Sequence, residues 1–251
     1  LEEVKKIIVK VKAETLIKAK NLFSPHAIIK CVEEGLDLDF DSSIKNERKI
    51  FKECIESPQR QGLIHSFFAE RAITKVPELK TGKPRDLKKI GIIGGGTMGT
   101  GISMAAMNAG FSVIMIEQND EAIEKANAKI NATYERNVRL GRITTEQKKQ
   151  IMSLFSAVTN MEILNDRDLI IEAVFEDMEI KKQVFMKLDK ICNKNCILAS
   201  NTSYLNVNEI AAVVDDPSRV IGLHFFSPAN IMKLLEIVVA DKTSDHTVAC
   251  L

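Results

Sequence analysis

A glycine-rich segment directly after a short apolar run constrains the fold of this chain more than any other feature. The apolar residues 90–93 lead into Gly94, Gly96 and Gly99, which have the spacing G-x-G-x-x-G. Residues 103–109 behind them have the pattern of a helix. A glycine-rich turn between a strand and a helix is typical of a βαβ unit that binds a dinucleotide.

Each glycine of this turn has its own physical role. Gly94 permits the tight turn, Gly96 lets a pyrophosphate approach the backbone, and Gly99 lets the helix pack closely on the strand. The free N–H groups of the helix start, at Thr97 and Met98, face the phosphates. A glycine-rich turn with a purely structural role is the alternative.

An acidic residue favours NAD over NADP. Glu117 follows the apolar residues 113–116 and lies 18 positions after Gly99. A carboxylate at the end of the second strand accepts hydrogen bonds from ribose hydroxyls and repels a 2′-phosphate. We assign Glu117 and the adjacent Gln118 to the cofactor site.

Further apolar runs indicate the rest of the sheet. Residues 169–174, 197–199 and 220–223 predict buried strands, with helices between them. Buried strands that alternate with helices predict an α/β fold with a doubly wound, mostly parallel Rossmann sheet.

The organisation changes along the chain. Residues 1–76 predict helices only, one of them beginning at Asp41 to Ser43. Residues 77–89 are basic and turn-rich, so they predict a linker, and residues 90–251 predict the Rossmann domain. The initial Leu1 and the polar C-terminal stretch lead us to expect a chain cut from a longer protein.

Composition excludes several classes of function. A net charge of +1 and 5% aromatic residues without Trp argue against nucleic-acid binding. No apolar run approaches the roughly 18 residues that a membrane span requires. The five cysteines match no zinc or disulfide pattern, so we expect no metal.

Of the four histidines, His224 has the position that best suits chemistry. It follows residues 220–223 at the carboxyl end of a predicted strand, where open α/β sheets bind their ligands. Glu236 lies in the next apolar segment, and a carboxylate on one imidazole nitrogen fixes the tautomer. Such a pair accepts a proton from an alcohol. A histidine with only a structural role fits the spacing equally well.

Four motifs occur in order: Gly-Gly-Gly-Thr-Met-Gly-Thr-Gly at 94–101, Ser-Asn-Thr-Ser at 200–203, Gly-Leu-His-Phe-Phe-Ser-Pro at 222–228 and Met-Lys-Leu-Leu-Glu at 232–236. Together they resemble the 3-hydroxyacyl-CoA dehydrogenase family over about residues 88–245. The resemblance implies NAD-dependent oxidation of (S)-3-hydroxyacyl-CoA to 3-oxoacyl-CoA in fatty-acid β-oxidation.

The same resemblance implies roles for single residues. His224 is expected to be the catalytic base and Glu236 its partner, while Ser203 contacts the substrate's 3-oxygen and Asn201 lies near the nicotinamide. Three more positions match cofactor contacts of the family: Ala173, Glu176 and Lys181. From the sequence alone, Glu176 equally suits a helix start and Lys181 a solvated helix face.

Ser227 resembles the multifunctional branch of the family, because the monofunctional branch has Asn there. In that branch a hydratase domain precedes the dehydrogenase. Residues 1–76 are consistent with the tail of such a domain and a linker helix, and residues 37–76 resemble the terminal helices that follow it. The family's C-terminal helical domain, which supplies a further Asn and much of the acyl-CoA site, is expected to be missing. We therefore expect NAD binding with poor turnover, in a parent enzyme of the peroxisome or of a bacterial cytoplasm.

Two other functions remain open on the sequence. One is a β-hydroxyacid dehydrogenase that acts on a small free acid and uses a catalytic lysine. The other is a non-catalytic NAD-binding or structural module, against which the presence of Ser203, His224 and Glu236 argues.

Overall fold

The architecture was obtained from a computed structural model, which describes residues 2–73 and 75–251. The chain divides into two compact units, Leu1–Val76 and Pro77–Leu251. The first consists of helices among its described residues, and the second is built around a sheet.

The first unit contains α1 (Glu2–Lys18), α2 (Phe23–Gly35), α3 (Phe40–Glu56) and α4 (Pro58–Ala72). The predicted start of α3 at Asp41 to Ser43 was wrong. Asp39 is the N-cap, since its carboxylate accepts hydrogen bonds from the backbone N–H and the hydroxyl of Ser42. An aspartate in extended backbone before the helix satisfies an otherwise unpaired N–H, which fixes the helix start two residues earlier.

The second unit is a seven-stranded sheet in the order β3-β2-β1-β4-β5-β6-β7. All neighbouring strands are parallel except β6 and β7, which pair antiparallel. The predicted doubly wound, mostly parallel α/β fold, preceded by a helical segment, is confirmed. The strands are β1 (Lys89–Ile93), β2 (Ser112–Ile116), β3 (Phe155–Val158), β4 (Leu169–Glu172), β5 (Ile197–Ser200), β6 (Val220–Phe225) and β7 (Leu235–Val238).

Helices connect these strands and bury their apolar faces on the sheet. Phe185 and Leu188 of one such helix are fully buried in a cluster with Ile93, Ile116 and Leu198 from three strands. No helix in the described part of the chain is long and apolar enough to cross a membrane. The helices are α5 (Thr97–Asn108), α6 (Asp120–Arg139), α7 (Thr145–Met152), α8 (Met178–Ile191), α9 (Val207–Ala211) and α10 (Asp245–Ala249), with 3-10 turns at Pro77–Lys80, Met161–Asp166 and Pro217–Arg219.

The structure corrects several strand predictions. β3 and β7 lie at the two edges of the sheet, where one-sided exposure leaves no continuous buried run for the sequence to show. β4 ends at Glu172 rather than at residue 174. β6 continues beyond residue 223 to Phe225, because it pairs with β7 there, so His224 lies inside a strand rather than after it.

The segment that the sequence predicts as a linker contacts the rest of the second unit. Arg85 donates hydrogen bonds to the carboxylate of Asp168 at 3.2 Å and to the carbonyl of Asn195 at 2.6 Å. The carbonyl of Lys83 lies 2.5 Å from Nδ1 of His246. These contacts attach residues 83–85 to the amino-terminal edge of the sheet and to α10.

A buried arginine ties the end of α8 to the start of β6. Arg219 donates to the Asp189 carboxylate at 2.5 Å and to the carbonyls of Asn193 at 2.9 Å and Cys196 at 3.3 Å. The side chains of Arg219 and Asp189 are 7% and 11% exposed. Water therefore screens this ion pair little.

We predict that Arg219→Met lowers the free energy of unfolding by about 3–5 kcal/mol, because it leaves the Asp189 carboxylate buried without its partner. Urea unfolding followed by circular dichroism measures the change. Lys125→Met is the control: it breaks the Lys125–Glu121 pair, whose side chains are 74% and 75% exposed, and is expected to leave stability nearly unchanged. Equal effects of the two variants would contradict the prediction.

Candidate functional site

A cavity of about 790 Å³ opens at the carboxyl ends of β1, β2 and β4. This edge is where open α/β sheets bind ligands. Its lining combines the end of β1 with the turn after it, the end of β2, the segments after β3 and β4, and one face of α8. The lining residues outside the turn are Ile93, Ile116, Glu117, Gln118, Thr159, Met161, Ala173, Val174, Phe175, Ile180, Gln183, Val184 and Lys187.

The glycine-rich turn has the geometry that its sequence predicts. Gly94 has φ +96°, and a Cβ on Gly99 would lie 1.8 Å from the carbonyl oxygen of Gly94. Both positions therefore require glycine, one for its backbone conformation and one for close packing.

Gly96 is different, because a Cβ there would meet no atom within 4 Å. It is the N-cap of α5, and no side chain caps that helix end. The space above Gly96 thus remains open in front of uncapped helix N–H groups, which is the arrangement that binds a pyrophosphate. The residues present fit an NAD cofactor, which they would hold through Gly96, Thr97 and Met98.

Glu117 at the end of β2 has a fixed orientation. One carboxylate oxygen accepts a hydrogen bond from the backbone N–H of Gly95, and the other accepts one from Gln118 at 2.9 Å. The side chain also lines the cavity. Its oxygens keep further lone pairs, so the carboxylate can accept bonds from ribose hydroxyls while it remains attached to the turn.

A buried carboxylate organises the next loop. Glu172, the last residue of β4, is 0% exposed. It accepts hydrogen bonds from the Val174 N–H at 2.8 Å, the Lys181 ammonium at 2.7 Å and the Ser200 hydroxyl at 2.7 Å. These donors come from the segment after β4, from α8 and from β5.

Glu176 continues this network toward the loop after β5. Its carboxylate lies 3.2 Å from Nζ of Lys181 and accepts bonds from the Thr202 hydroxyl at 2.5 Å and the Ser203 N–H at 2.7 Å. Burial raises the pKa of Glu176, but the bonds from Thr202 and Ser203 and the Lys181 charge outweigh burial, so the pKa lies below its ordinary value. Glu176 is therefore an anion at neutral pH.

His224 and Glu236 form a pair across β6 and β7. They are direct partners in the antiparallel register, and Nδ1 of His224 lies 2.8 Å from a carboxylate oxygen of Glu236. A proton on Nδ1 is donated to the carboxylate, so Nε2 is left to accept one. The imidazole also packs on Phe226, with ring centroids 4.6 Å apart.

The loop after β5 is attached to the histidine strand. The Asn201 side-chain oxygen accepts a bond from the N–H of Phe225 at 2.9 Å. Asn201 is buried, whereas Ser203 is exposed. Ser203 lies two residues further along the loop, and its backbone N–H donates a hydrogen bond to the Glu176 carboxylate. The loop is thus fixed on both sides while the Ser203 hydroxyl remains accessible.

The structure places the predicted site residues in two groups. Those that line the cavity are Gly94, Gly96, Thr97, Met98, Glu117, Gln118 and Ala173. Those that do not line it are Gly99, Glu176, Lys181, Asn201, Ser203, His224 and Glu236.

The sequence analysis did not identify the face of α8 that lines the cavity, nor the buried acid Glu172. The face of α8 that lines the cavity recurs at positions 180, 183, 184 and 187, a helical spacing that was visible in the sequence. Glu172 was also visible, as a charge inside the apolar run 169–174. A charged residue within a buried strand requires partners, which is a signal in itself.

Comparison with known proteins agrees with this geometry. The family model described as 3-hydroxyacyl-CoA dehydrogenase, NAD binding domain, matches residues 89–251. A peroxisomal fatty acid beta-oxidation multifunctional protein, AIM1 of Arabidopsis thaliana, is 38% identical over 92% of this chain and 32% of that protein. The chain spans about a third of the length of the curated relatives it matches.

Two solved structures are also similar. A 3-hydroxybutyryl-CoA dehydrogenase from Escherichia coli K12 is 36% identical with a TM-score of 0.64, covering 65% of this chain and 35% of that one. The dehydrogenase part of multifunctional enzyme 1 from C. elegans is 33% identical with a TM-score of 0.62, covering 68% and 39%. The resemblance carried by the four sequence motifs is confirmed: the chain belongs to the 3-hydroxyacyl-CoA dehydrogenase family and contains its NAD-binding domain.

Proposed function

We propose that this chain is the NAD-binding part of an enzyme that oxidises (S)-3-hydroxyacyl-CoA to 3-oxoacyl-CoA in fatty-acid β-oxidation. The observation that carries the proposal is the 2.8 Å pair of His224 and Glu236. His224 lies on β6, at the same carboxyl edge of the sheet as the glycine-rich turn. Proton acceptor and cofactor cradle thus share one side of the domain, as a hydroxyl oxidation requires.

Each side chain near the substrate has its own role in this oxidation. Nε2 of His224 takes the proton from the substrate's 3-hydroxyl, and Glu236 stabilises the imidazolium through Nδ1. Ser203 contacts the 3-oxygen, and Asn201 keeps this loop next to His224 through Phe225. Gly96, Thr97, Met98, Glu117, Gln118 and Ala173 would hold NAD, which would supply the acceptor for the hydride that leaves C3 as the carbonyl forms.

The rest of the chain points to the multifunctional branch. The alignment with the multifunctional protein of Oryza sativa subsp. japonica covers 99% of this chain, so it includes the helical unit. We therefore infer that residues 1–76 are the end of a hydratase domain with its linker helix. Relatives with peroxisomal names favour the peroxisome over a bacterial cytoplasm for this enzyme.

We predict that Gly96→Ala weakens NADH binding about tenfold or more, a cost of at least about 1.4 kcal/mol, because the new methyl group occupies the space that the pyrophosphate needs. The melting temperature stays unchanged, since a Cβ at Gly96 meets no protein atom within 4 Å. NADH fluorescence measures binding against a chain that has no Trp.

Gly99→Ala is the companion variant. Its Cβ would lie 1.8 Å from the Gly94 carbonyl oxygen, so it should lower the melting temperature. If Gly96→Ala binds NADH like the wild type, the turn has only a structural role.

We predict that wild type binds NADH at least about tenfold more tightly than NADPH, and that Glu117→Gln removes most of this preference. The physical cause is repulsion between the Glu117 carboxylate and a 2′-phosphate. Glu121→Gln, at an exposed glutamate of α6, is the control and should keep the preference. A wild type without preference, or a variant that keeps it, would argue against Glu117 as the ribose ligand.

For the complete enzyme we predict that His224→Ala lowers kcat for (S)-3-hydroxybutyryl-CoA about 10²–10⁴-fold, with NADH affinity unchanged. Glu236→Gln should give a smaller loss, since the imidazole then lacks only its anionic partner. Stopped-flow absorbance at the NADH band measures both. Wild type that binds NADH but never oxidises a hydroxyacyl-CoA would favour a non-catalytic module instead.

A further inference from the structure

Gly101 is the last residue of the glycine-rich motif at 94–101, and the G-x-G-x-x-G pattern does not account for it. It lies in the second turn of α5 and is buried. Glycine is one of the poorest helix formers, so helix stability gives no reason for it at this position. A Cβ on Gly101 would lie 3.1 Å from the Cβ of Ala229 and 3.2 Å from its backbone nitrogen. The missing side chain therefore lets a second segment of backbone approach α5 closely.

That second segment is the loop 226–234, which joins β6 to β7. Ala229 is 5% exposed, so this part of the loop is packed against the domain. The backbone N–H groups of Ile231 and Met232 both donate to the carbonyl of Pro228, at 2.9 and 3.0 Å. These bonds hold residues 228–232 in a turn. A displacement at Ala229 is therefore passed on to the rest of the loop.

The two ends of the loop adjoin the His224–Glu236 pair. Phe226, the first residue of the loop, packs on the His224 imidazole with ring centroids 4.6 Å apart. Phe225 and Leu235 form the register pair next to the loop, and His224 and Glu236 form the following one. The position of the loop thus affects both members of the 2.8 Å contact between imidazole and carboxylate.

The other side of the contact, α5, begins at the cofactor cradle. Gly96 is its N-cap, and its first residues, Thr97 and Met98, line the cavity. Gly101 lies about one turn further along the same helix. A single helix therefore connects the groups that would hold the cofactor with the point on which the loop rests.

We propose that Gly101 is a positioning residue: its missing side chain lets the loop 226–234 rest on α5, and this contact sets the distance between the cofactor cradle and the His224–Glu236 pair. The consequence for catalysis rests on the proposed function, which assigns the proton transfer to His224. The seating of the loop on α5 is a property of the protein without any ligand.

The size of the effect follows from the geometry. The proton leaves the 3-hydroxyl oxygen and the hydride leaves C3 of the same substrate, so cradle and pair must be aligned on one molecule. A methyl group at position 101 would require its neighbour to move by a few tenths of an ångström. Since a misplacement of about 1 Å costs a rate factor of about 10², this smaller shift should cost about three- to tenfold.

Four variants test the contact from both sides. Gly101→Ala places a methyl group against the loop. Combining it with Ala229→Gly removes the methyl group that it meets but keeps the alanine in the helix, so recovery cannot come from the helix itself. Ala229→Val adds bulk from the loop side while Gly101 is intact. Gly62→Ala in α4 is the matched control, because it is the same change in a helix where a Cβ meets no atom within 4 Å.

Two measurements separate the loop from the reaction. Hydrogen–deuterium exchange of the peptide covering residues 222–234, on the chain without nucleotide, reports how firmly β6 and the loop are held. Kinetics of the complete enzyme with (S)-3-hydroxybutyryl-CoA, unlabelled and deuterated at C3, give kcat, KM and the extent to which hydride transfer limits the rate. NADH fluorescence gives cofactor affinity, and far-UV circular dichroism monitors folding.

We expect Gly101→Ala to lower kcat about three- to tenfold and to raise the deuterium isotope effect, because misaligned hydride transfer becomes slower than product release. Exchange of the peptide should be about threefold faster. NADH affinity should stay within about twofold, since the helix start that faces the phosphates is unchanged. Ala229→Val should behave like Gly101→Ala, and the double variant should return to within about twofold of Ala229→Gly alone.

Three results would overturn the proposal: unchanged kcat and exchange in Gly101→Ala and Ala229→Val, equal losses in Gly62→Ala, or a double variant no better than Gly101→Ala. If Gly101→Ala does not fold, Ala229→Val and the double variant decide by the same criteria. A complete wild-type enzyme that binds NADH but never oxidises a hydroxyacyl-CoA would refute the proposed function instead. The exchange experiment would still decide whether Gly101 seats the loop.

Discussion

The buried carboxylate of Glu172 is the interaction on which the carboxyl edge of the sheet depends. It ends β4 in the middle of the sheet, paired with Ile93 of β1 on one side and with Ser200 of β5 on the other. Its hydrogen bonds reach the segment after β4, α8 and β5. Because a buried anion is tolerated only with all its partners in place, these elements are fixed relative to one another.

A second constraint comes from the reversal of strand direction at β7. The antiparallel pairing of β6 with β7 places His224 directly opposite Glu236. Side chains at opposite positions of an antiparallel pair lie on the same face of the sheet and close together. A shift of one residue would send the carboxylate to the other face. Gly222 belongs to this register as well, since a Cβ there would lie 2.8 Å from the Cβ of Val238.

The sequence predicted the features that depend on local pattern. The turn at Gly94 to Gly99, the acid Glu117 and the strand that leads to His224 follow from spacing and order alone. The edge strands β3 and β7 did not, because their short segments have no periodicity that distinguishes them from loops. The sequence offered Glu236 as a partner of His224 but left a structural histidine equally open, because a contact between residues twelve positions apart depends on strand register. Family resemblance then favoured the pair.

Burial was the property that the sequence predicted least well. Lys181 has the sequence context of a solvated helix face, yet it is 1% exposed because Glu172 lies beneath it. A charge on a helix suggests a surface position when taken alone, whereas a charge inside an apolar strand run requires a buried partner. The sequence did not identify that partner, and the structure shows it to be Lys181.

The site also shows how a dinucleotide domain with little net charge can bind an anion. The described lining of the cavity contains one cation, Lys187 of α8. At the turn, the uncapped N–H groups of α5 face the space above Gly96, and the Lys129 ammonium lies 3.5 Å from the Thr97 hydroxyl. The N–H groups contribute a favourable field through the aligned peptide dipoles of the helix start. Affinity for the pyrophosphate therefore depends in part on backbone geometry, and that geometry depends on the two positions, Gly94 and Gly99, where no side chain fits.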